Sequence, residues 1–330
     1  MKIAVIGSGG WGTAIAILLA KKGNEVYLWS WQRAEAERLA ADRENKEFLP
    51  GKPFPDKIVC SHDMQACVDG AELVVTAVPS PATRTTAKQL SAYIRAKQPV
   101  LNISKGLEDG SLLRLSQVYR AEIPKVRVAV MSGPSHAEEV SIGLPTTNVV
   151  ASDDGELTHF IQNIFMDPVF RVYTGRDMTG VELGGALKNV IALCAGISDG
   201  LGYGDNTKAA LMTRGLAEIT RLGIAMGAEP ETFAGLSGVG DLIVTCTSRH
   251  SRNRSAGVLL GQGKSLKETL EEVHMVVEGV NTARAAYDLS REYHVEMPIV
   301  NEAYQILFEG KSAEEAVNGL MTRDKRMENR

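Results

Sequence analysis

Residues 2–12 read KIAVIGSGGWG, an apolar β-branched run that opens into Gly7-x-Gly9-x-x-Gly12 and continues as the helix-like TAIAILLAKKG. Few short segments constrain a fold so tightly. Gly7 allows the tight turn, Gly9 lets backbone amides approach an anion, and Gly12 permits close packing of helix on strand. The helix that follows directs its positive end at the loop, which suits a pyrophosphate. A second strand-like run, Glu25–Trp29, completes the first β-α-β unit, and in that setting the loop is a dinucleotide-binding fingerprint.

The rest of the first half keeps the alternation. Apolar runs at Ile3–Ile6, Val26–Trp29, Leu73–Val78, Val100–Ile103, Val128–Met131, Asn148–Ala151 and Phe170–Tyr173 predict strands, several of them apolar throughout, as parallel strands covered on both faces are. Helical patterns at Thr13–Lys22, Ala82–Ala96 and Leu112–Arg120 fall between them. The pattern predicts an α/β fold with an N-terminal Rossmann-like doubly wound sheet. Beyond Met178 strands become scarce and helical patterns dominate, at Gly180–Ser198, Lys208–Met226, Asn281–Tyr293 and Met297–Phe308. The chain therefore divides into a dinucleotide-binding domain, 1–178, and a mostly α-helical substrate-binding and catalytic domain, 179–330, as 330 residues suggest. The charged tail 323–330 reads as frayed.

A net charge of −4 gives no footing for nucleic acid, so any basic cluster must serve a small anion. Cys60, Cys67, Cys194 and Cys246 form no CxxC pair, which fits reduced thiols in the cytoplasm and no metal site. No run of apolar residues approaches the ~20 of a spanning helix, so no membrane insertion is expected.

Specificity for the dinucleotide is read beyond the second strand. An Asp or Glu about 20 residues past the loop accepts from the ribose hydroxyl of NAD. Here the chain has Ser30-Trp31-Gln32-Arg33, with no acid before Glu35. Arg33 is placed to pair with a 2′-phosphate, so the expectation is NADPH in preference to NADH.

Chemistry enters with GVELGGALKNVIALCAGIS, residues 180–198. From Ala186 to Ile197 only Lys188 and Asn189 are polar. A helix apolar nearly all round is buried, and burial lowers a lysine's pKa toward the range of proton transfer. Lys188 is thus the candidate proton donor to a carbonyl oxygen receiving hydride. Lys105, in the NISKG turn after a strand, is placed to bind an anionic substrate. The Ser132–Ala137 turn offers backbone and the Ser135 hydroxyl, whereas His136 reads as structural. Asp241, after a glycine turn, is a partner for Lys188. Arg249, Arg252 and Arg254, interleaved with Ser251 and Asn253, suggest a phosphate site.

With these segments in view the chain resembles the bacterial NAD(P)-dependent glycerol-3-phosphate dehydrogenases. The resemblance spans nearly the whole chain: GSGGWGTA at 7–14, NISKGLE at 102–108, SGPSHAEEV at 132–140, GVELGGALKNVIAL at 180–193, TRGLAEITRLG at 213–223, GVGDLIVTCTSRHSRNR at 238–254 and VVEGV at 276–280. It implies interconversion of dihydroxyacetone phosphate and sn-glycerol 3-phosphate, feeding phospholipid synthesis, in a homodimer. By motif it assigns Gly10, Trp11, Arg33, Phe48, Lys105, Ala137, Arg252, Val276 and Glu278 to the cofactor. To the substrate it assigns Lys105, Gly133, Ser135, Lys188, Asp241, Ser251, Arg252 and Asn253, with Lys188 transferring the proton. SWQR at 30–33 departs from the His-Arg pair of many members. The rival reading is a hydroxyacid or ketopantoate-type reductase, which would hold a carboxylate where this chain offers a phosphate site.

Overall fold

The computed structural model describes residues 1–325 and 327–328, so part of the charged tail lies outside the described residues. Eight strands form one sheet: β1 (Lys2–Ile6), β2 (Glu25–Trp29), β3 (Ile58–Ser61), β4 (Leu73–Thr76), β5 (Pro99–Asn102), β6 (Arg127–Ser132), β7 (Thr146–Ala151) and β8 (Phe170–Gly175). Their spatial order is 3-2-1-4-5-6-7-8. The first six run parallel in the doubly wound order, and β7 turns antiparallel to β6 with β8 parallel to β7. Alternation within a strand sorts the core. Ile3 and Val5 join one apolar cluster with Ile15 and Leu19, while Ala4 and Ile6 join the cluster on the opposite face with Val74 and Tyr119.

Helices α1 (Gly10–Lys21), α2 (Arg33–Asp42), α3 (Met64–Val68), α4 (Thr83–Ser91), α5 (Leu115–Glu122), α6 (Ala137–Ile142) and α7 (Gly155–Phe165) cover the sheet. Two helices are displaced from the sequence expectation. The 82–96 pattern stops at Ser91, where Ala92 N and Tyr93 N bond back only three residues, to Gln89 O and Leu90 O, in a tighter turn. The 112–120 pattern begins only at Leu115, since Leu112 is itself left-handed at 58°. Sequence reading missed β3, which is short, lies at the sheet edge and is only partly buried.

The remainder is helical: α8 (Met178–Gly200), α9 (Asp205–Ala225), α10 (Pro230–Phe233), α11 (Asp241–Thr247), α12 (Arg252–Gly261), α13 (Leu266–Val273), α14 (Glu278–Glu292), α15 (Pro298–Phe308) and α16 (Ala313–Met321). Asp177 caps α8 by accepting from Gly180 N, and also takes bonds from Glu229 N and Thr232. α8 is long and apolar enough to cross a membrane, contrary to the expectation that no segment would be. Its apolar window is 94% buried inside the protein, which makes it the axis of the helical core.

Candidate active site

The loop between β1 and α1 has the geometry of an anion cradle. Gly7 sits at φ 119°, and a Cβ there would lie 2.7 Å from the Ala77 carbonyl oxygen. A Cβ on Gly12 would come within 2.0 Å of Gly7 O, so the helix can lie against the strand only without one. At Gly9 an added Cβ would meet nothing within 4 Å, so the space beside it is open. No side chain caps α1 and no acid occupies its first turn, so nothing competes with a phosphate for its N-terminus. A Cβ on Gly10 would lie 2.9 Å from the Phe48 carbonyl oxygen and 3.9 Å from the Ala137 methyl, so three expected cofactor residues sit close together. Trp11 packs on the same apolar cluster, and its Nε1 is buried without a hydrogen-bond partner. This loop fits a dinucleotide.

The carboxylate missing at the tip of β2 is supplied from elsewhere. Glu35, in the first turn of α2, reaches back to accept from Ser8 Oγ at 2.9 Å and Ser30 Oγ at 2.5 Å. The inference that this end of the cleft lacks an acid is therefore corrected. Arg33 stands exposed at the start of the same helix, beside Ser61 and His62.

Below the cleft, three charged side chains converge from elements far apart in sequence. Asp241, at the start of α11 and 1% exposed, accepts from Lys188 Nζ through one oxygen and from Lys105 Nζ at 2.7 Å through the other. Lys105 follows β5, and it also donates to Gly133 O at 2.9 Å at the end of β6. Lys188 projects from α8 and donates also to Thr245 Oγ1 at 2.7 Å. Ser132 Oγ lies 3.3 Å from Asp241 Oδ2, and Ser135 Oγ donates to Gly133 O at 2.9 Å. Ser132 and Thr245 were not singled out in the sequence, because an isolated hydroxyl carries no pattern.

Burial dominates the charge balance. Desolvation pushes the Lys188 ammonium down to about 7; Asp241 opposes that shift and Lys105 adds to it. Desolvation alone would raise the Asp241 carboxyl, but the two ammonium groups hold it below its usual range. His136, expected to be structural, occupies the N-cap position of α6 without a side-chain capping bond, its Nε2 buried and unpartnered. Burial and the nearby Lys188 lower its pKa.

The expected phosphate cluster is only partly assembled. Arg254 is taken by Asp199, with its Nε at 2.7 Å. Ser251 caps α12 by accepting from Arg254 N. Asn253 bonds Asn189 Oδ1 at 3.0 Å and accepts from Gly279 N at 2.8 Å, tying α12 to α8 and α14. Arg252 is left exposed at the N-terminus of α12. Glu278 accepts from Ser80 N at 3.0 Å and from Ser80 Oγ, while Val276 is exposed nearby in sequence.

Comparisons with known proteins agree with this geometry. Residues 2–158 match the NAD-dependent glycerol-3-phosphate dehydrogenase N-terminus, and residues 177–318 match the C-terminus of the same family. A glycerol-3-phosphate dehydrogenase (NAD(P)+) of Fusobacterium nucleatum subsp. nucleatum is 54% identical over 330 residues, covering 99% of this chain and 98% of the relative. The crystal structure of glycerol-3-phosphate dehydrogenase from Coxiella burnetii superposes with a TM-score of 0.95 at 38% identity, over 98% of this chain and 99% of that one. A ketopantoate reductase from Ralstonia eutropha shares only the fold, with a TM-score of 0.63 at 17% identity over 96% of this chain and 100% of its own.

Proposed function

This chain belongs to the NAD-dependent glycerol-3-phosphate dehydrogenase family, and from that premise we propose how its residues divide the work. The enzyme is an oxidoreductase that interconverts dihydroxyacetone phosphate and sn-glycerol 3-phosphate with NADPH or NADH. Its product serves glycerophospholipid synthesis. The observation that carries the division of roles is the Lys105–Asp241–Lys188 cluster beneath a glycine-rich dinucleotide loop.

When bound, the nicotinamide supplies a hydride to C2 of dihydroxyacetone phosphate. Gly7, Gly9, Gly10 and Gly12 cradle the pyrophosphate, with Trp11, Phe48 and Ala137 lining that end. Arg33 faces the adenosine ribose, where it favours a 2′-phosphate and hence NADPH. Lys105, Arg252, Val276 and Glu278 border the rest of the cofactor. Lys188 protonates the oxygen on C2 as charge develops there. Asp241 fixes both ammonium groups and balances their charge, so the proton is delivered from a set position. Lys105 draws the carbonyl oxygen toward Lys188, while Gly133 and Ser135 border the substrate. Arg252, with Ser251 and Asn253 at the N-terminus of α12, holds the phosphate.

We place the domain boundary at residue 178, where the C-terminal family match has just begun at residue 177. Free thiols at Cys60, Cys67, Cys194 and Cys246 support a cytoplasmic location. We also infer a homodimer, which light scattering on the purified protein tests. A spectrophotometric assay tests the substrate: NADPH and NADH are oxidised with dihydroxyacetone phosphate and not with ketopantoate. Turnover of ketopantoate alone would transfer the site to a carboxylate-binding reductase.

A further inference from the structure

The sequence between β2 and α2 reads as though it lacks a ribose-binding acid, yet the fold builds one from an unusual direction. Glu35 occupies the third position of α2, where a glutamate ordinarily bonds back to the amide at the helix start. Here the carboxylate turns away from its own helix. One oxygen accepts from Ser8, the residue between the first two glycines of the loop, and the other from Ser30, the residue that follows β2. Both serines are almost fully buried, at 5% and 1% exposure. The loop is anchored at the same place, since Gly7 N donates to Trp29 O and Asn45 Nδ2 donates to Ser8 O. The carboxylate thus bridges the pyrophosphate loop and the tip of β2. That is the gap a dinucleotide fold uses to read the ribose of its adenosine half.

We propose that Glu35 is a cofactor-selecting residue of this chain, accepting from the ribose 2′-hydroxyl of NADH and opposing the 2′-phosphate of NADPH. A carboxylate can accept about four hydrogen bonds, so two serine hydroxyls leave capacity for a ribose. A phosphate on the same ribose meets negative charge at short range, where like charges cost most. Arg33, exposed two residues earlier, attracts that phosphate. The two side chains pull in opposite senses from one helix turn, which keeps both cofactors usable and the preference between them narrow. The inference rests on the assignment of residues 7–12 to the dinucleotide.

Calorimetric titration of the whole protein with ADP and with adenosine 2′,5′-bisphosphate separates the possibilities without reference to turnover. In Glu35→Gln the bisphosphate binds about tenfold more tightly relative to ADP than in the unaltered protein, from the loss of one like charge. Glu35→Asp, which keeps the charge, retains the original ratio, and Arg33→Gln shifts it the other way. A merely structural Glu35 would weaken both ligands equally in Glu35→Gln, and an unchanged ratio overturns the proposal. If the unaltered protein binds neither ligand, the dinucleotide assignment fails and this proposal with it.

Discussion

At the scale of the residue, the proposed role of Lys188 in proton transfer rests on burial and pairing, which the sequence foreshadows for a physical reason. A lone cation in an apolar helix has to be buried and paired, and here it is held by Asp241 and Thr245. The partners were harder to see, because Asp241 and Thr245 lie on α11, more than fifty residues away. Lys188→Ala should lower turnover about 10²–10⁴-fold, the usual contribution of a positioned acid. NADPH binding, followed by fluorescence, should change little; near-normal turnover would remove Lys188 from the mechanism. The pH dependence has a definite sign. Reduction needs the ammonium form, so kcat with dihydroxyacetone phosphate should fall as pH rises through about 7. Oxidation of glycerol 3-phosphate needs the neutral amine and should rise across the same window. Parallel profiles in both directions would show that another group titrates. Glu35 was misjudged because spacing along the chain placed it too far from β2, whereas the first turn of α2 folds it back.

Among the elements, the contact of α8 with α12 decides how the phosphate end is built. α8 presents Gly196 and Gly200 to Gly257 and Gly261 of α12, so the two backbones nearly touch. An added Cβ on Gly257 would sit 2.0 Å from Leu193 O, and one on Gly196 would sit 2.0 Å from Arg254 O. This closeness brings Asn253 within reach of Asn189, with Arg252 exposed at the start of α12. Gly257→Ala must therefore part the helices, at about 1–3 kcal/mol. Thermal and chemical denaturation should show that loss, together with a raised KM for dihydroxyacetone phosphate. Gly155→Ala is the control: its Cβ would meet nothing within 4 Å, and its stability should stay near that of the parent. Unaltered stability in Gly257→Ala would mean that the helices slide apart freely. The sequence exposed α8, α9, α14 and α15 through long apolar periods, but not α12, whose apolar residues are few and mixed with arginines and glycines. The arginine run is divided by helix geometry: two residues turn the side chain through about 200°, so Arg252 is exposed while Arg254 pairs with Asp199.

For the molecule as a whole, the Lys105–Asp241–Lys188 cluster lies on the seam between the sheet and the helical half. Lys105 meets Asp241 across it, Ser80 meets Glu278, and Arg114 with Ser116 meets Glu182. The change of texture after β8 made the two halves legible, but the ties between them pair residues up to 198 positions apart and no local pattern announces them. Glu182 and Glu278 both tie the halves outside the lysine cluster, and Glu182 accepts the larger set of bonds. Its carboxylate is 5% exposed and accepts from Ser116 N at 2.8 Å, from Ser116 Oγ at 2.7 Å and from Arg114 Nη1 at 2.5 Å. Removing it leaves a guanidinium, a hydroxyl and the N-terminus of α5 without their acceptor, at about 3–5 kcal/mol. The chain reports on each half separately, because Trp11, Trp29 and Trp31, its only tryptophans, all belong to the sheet half. Most of the long helices, α8 and α9 foremost, belong to the other. In the parent protein, urea transitions followed by tryptophan fluorescence and by helical circular dichroism should coincide, as they do when such ties make the halves one cooperative unit. In Glu182→Ala the two curves should separate and the first midpoint should fall. Coincident curves at the parental midpoint would mean that the lysine–aspartate cluster and the Ser80–Glu278 contact couple the halves without Glu182.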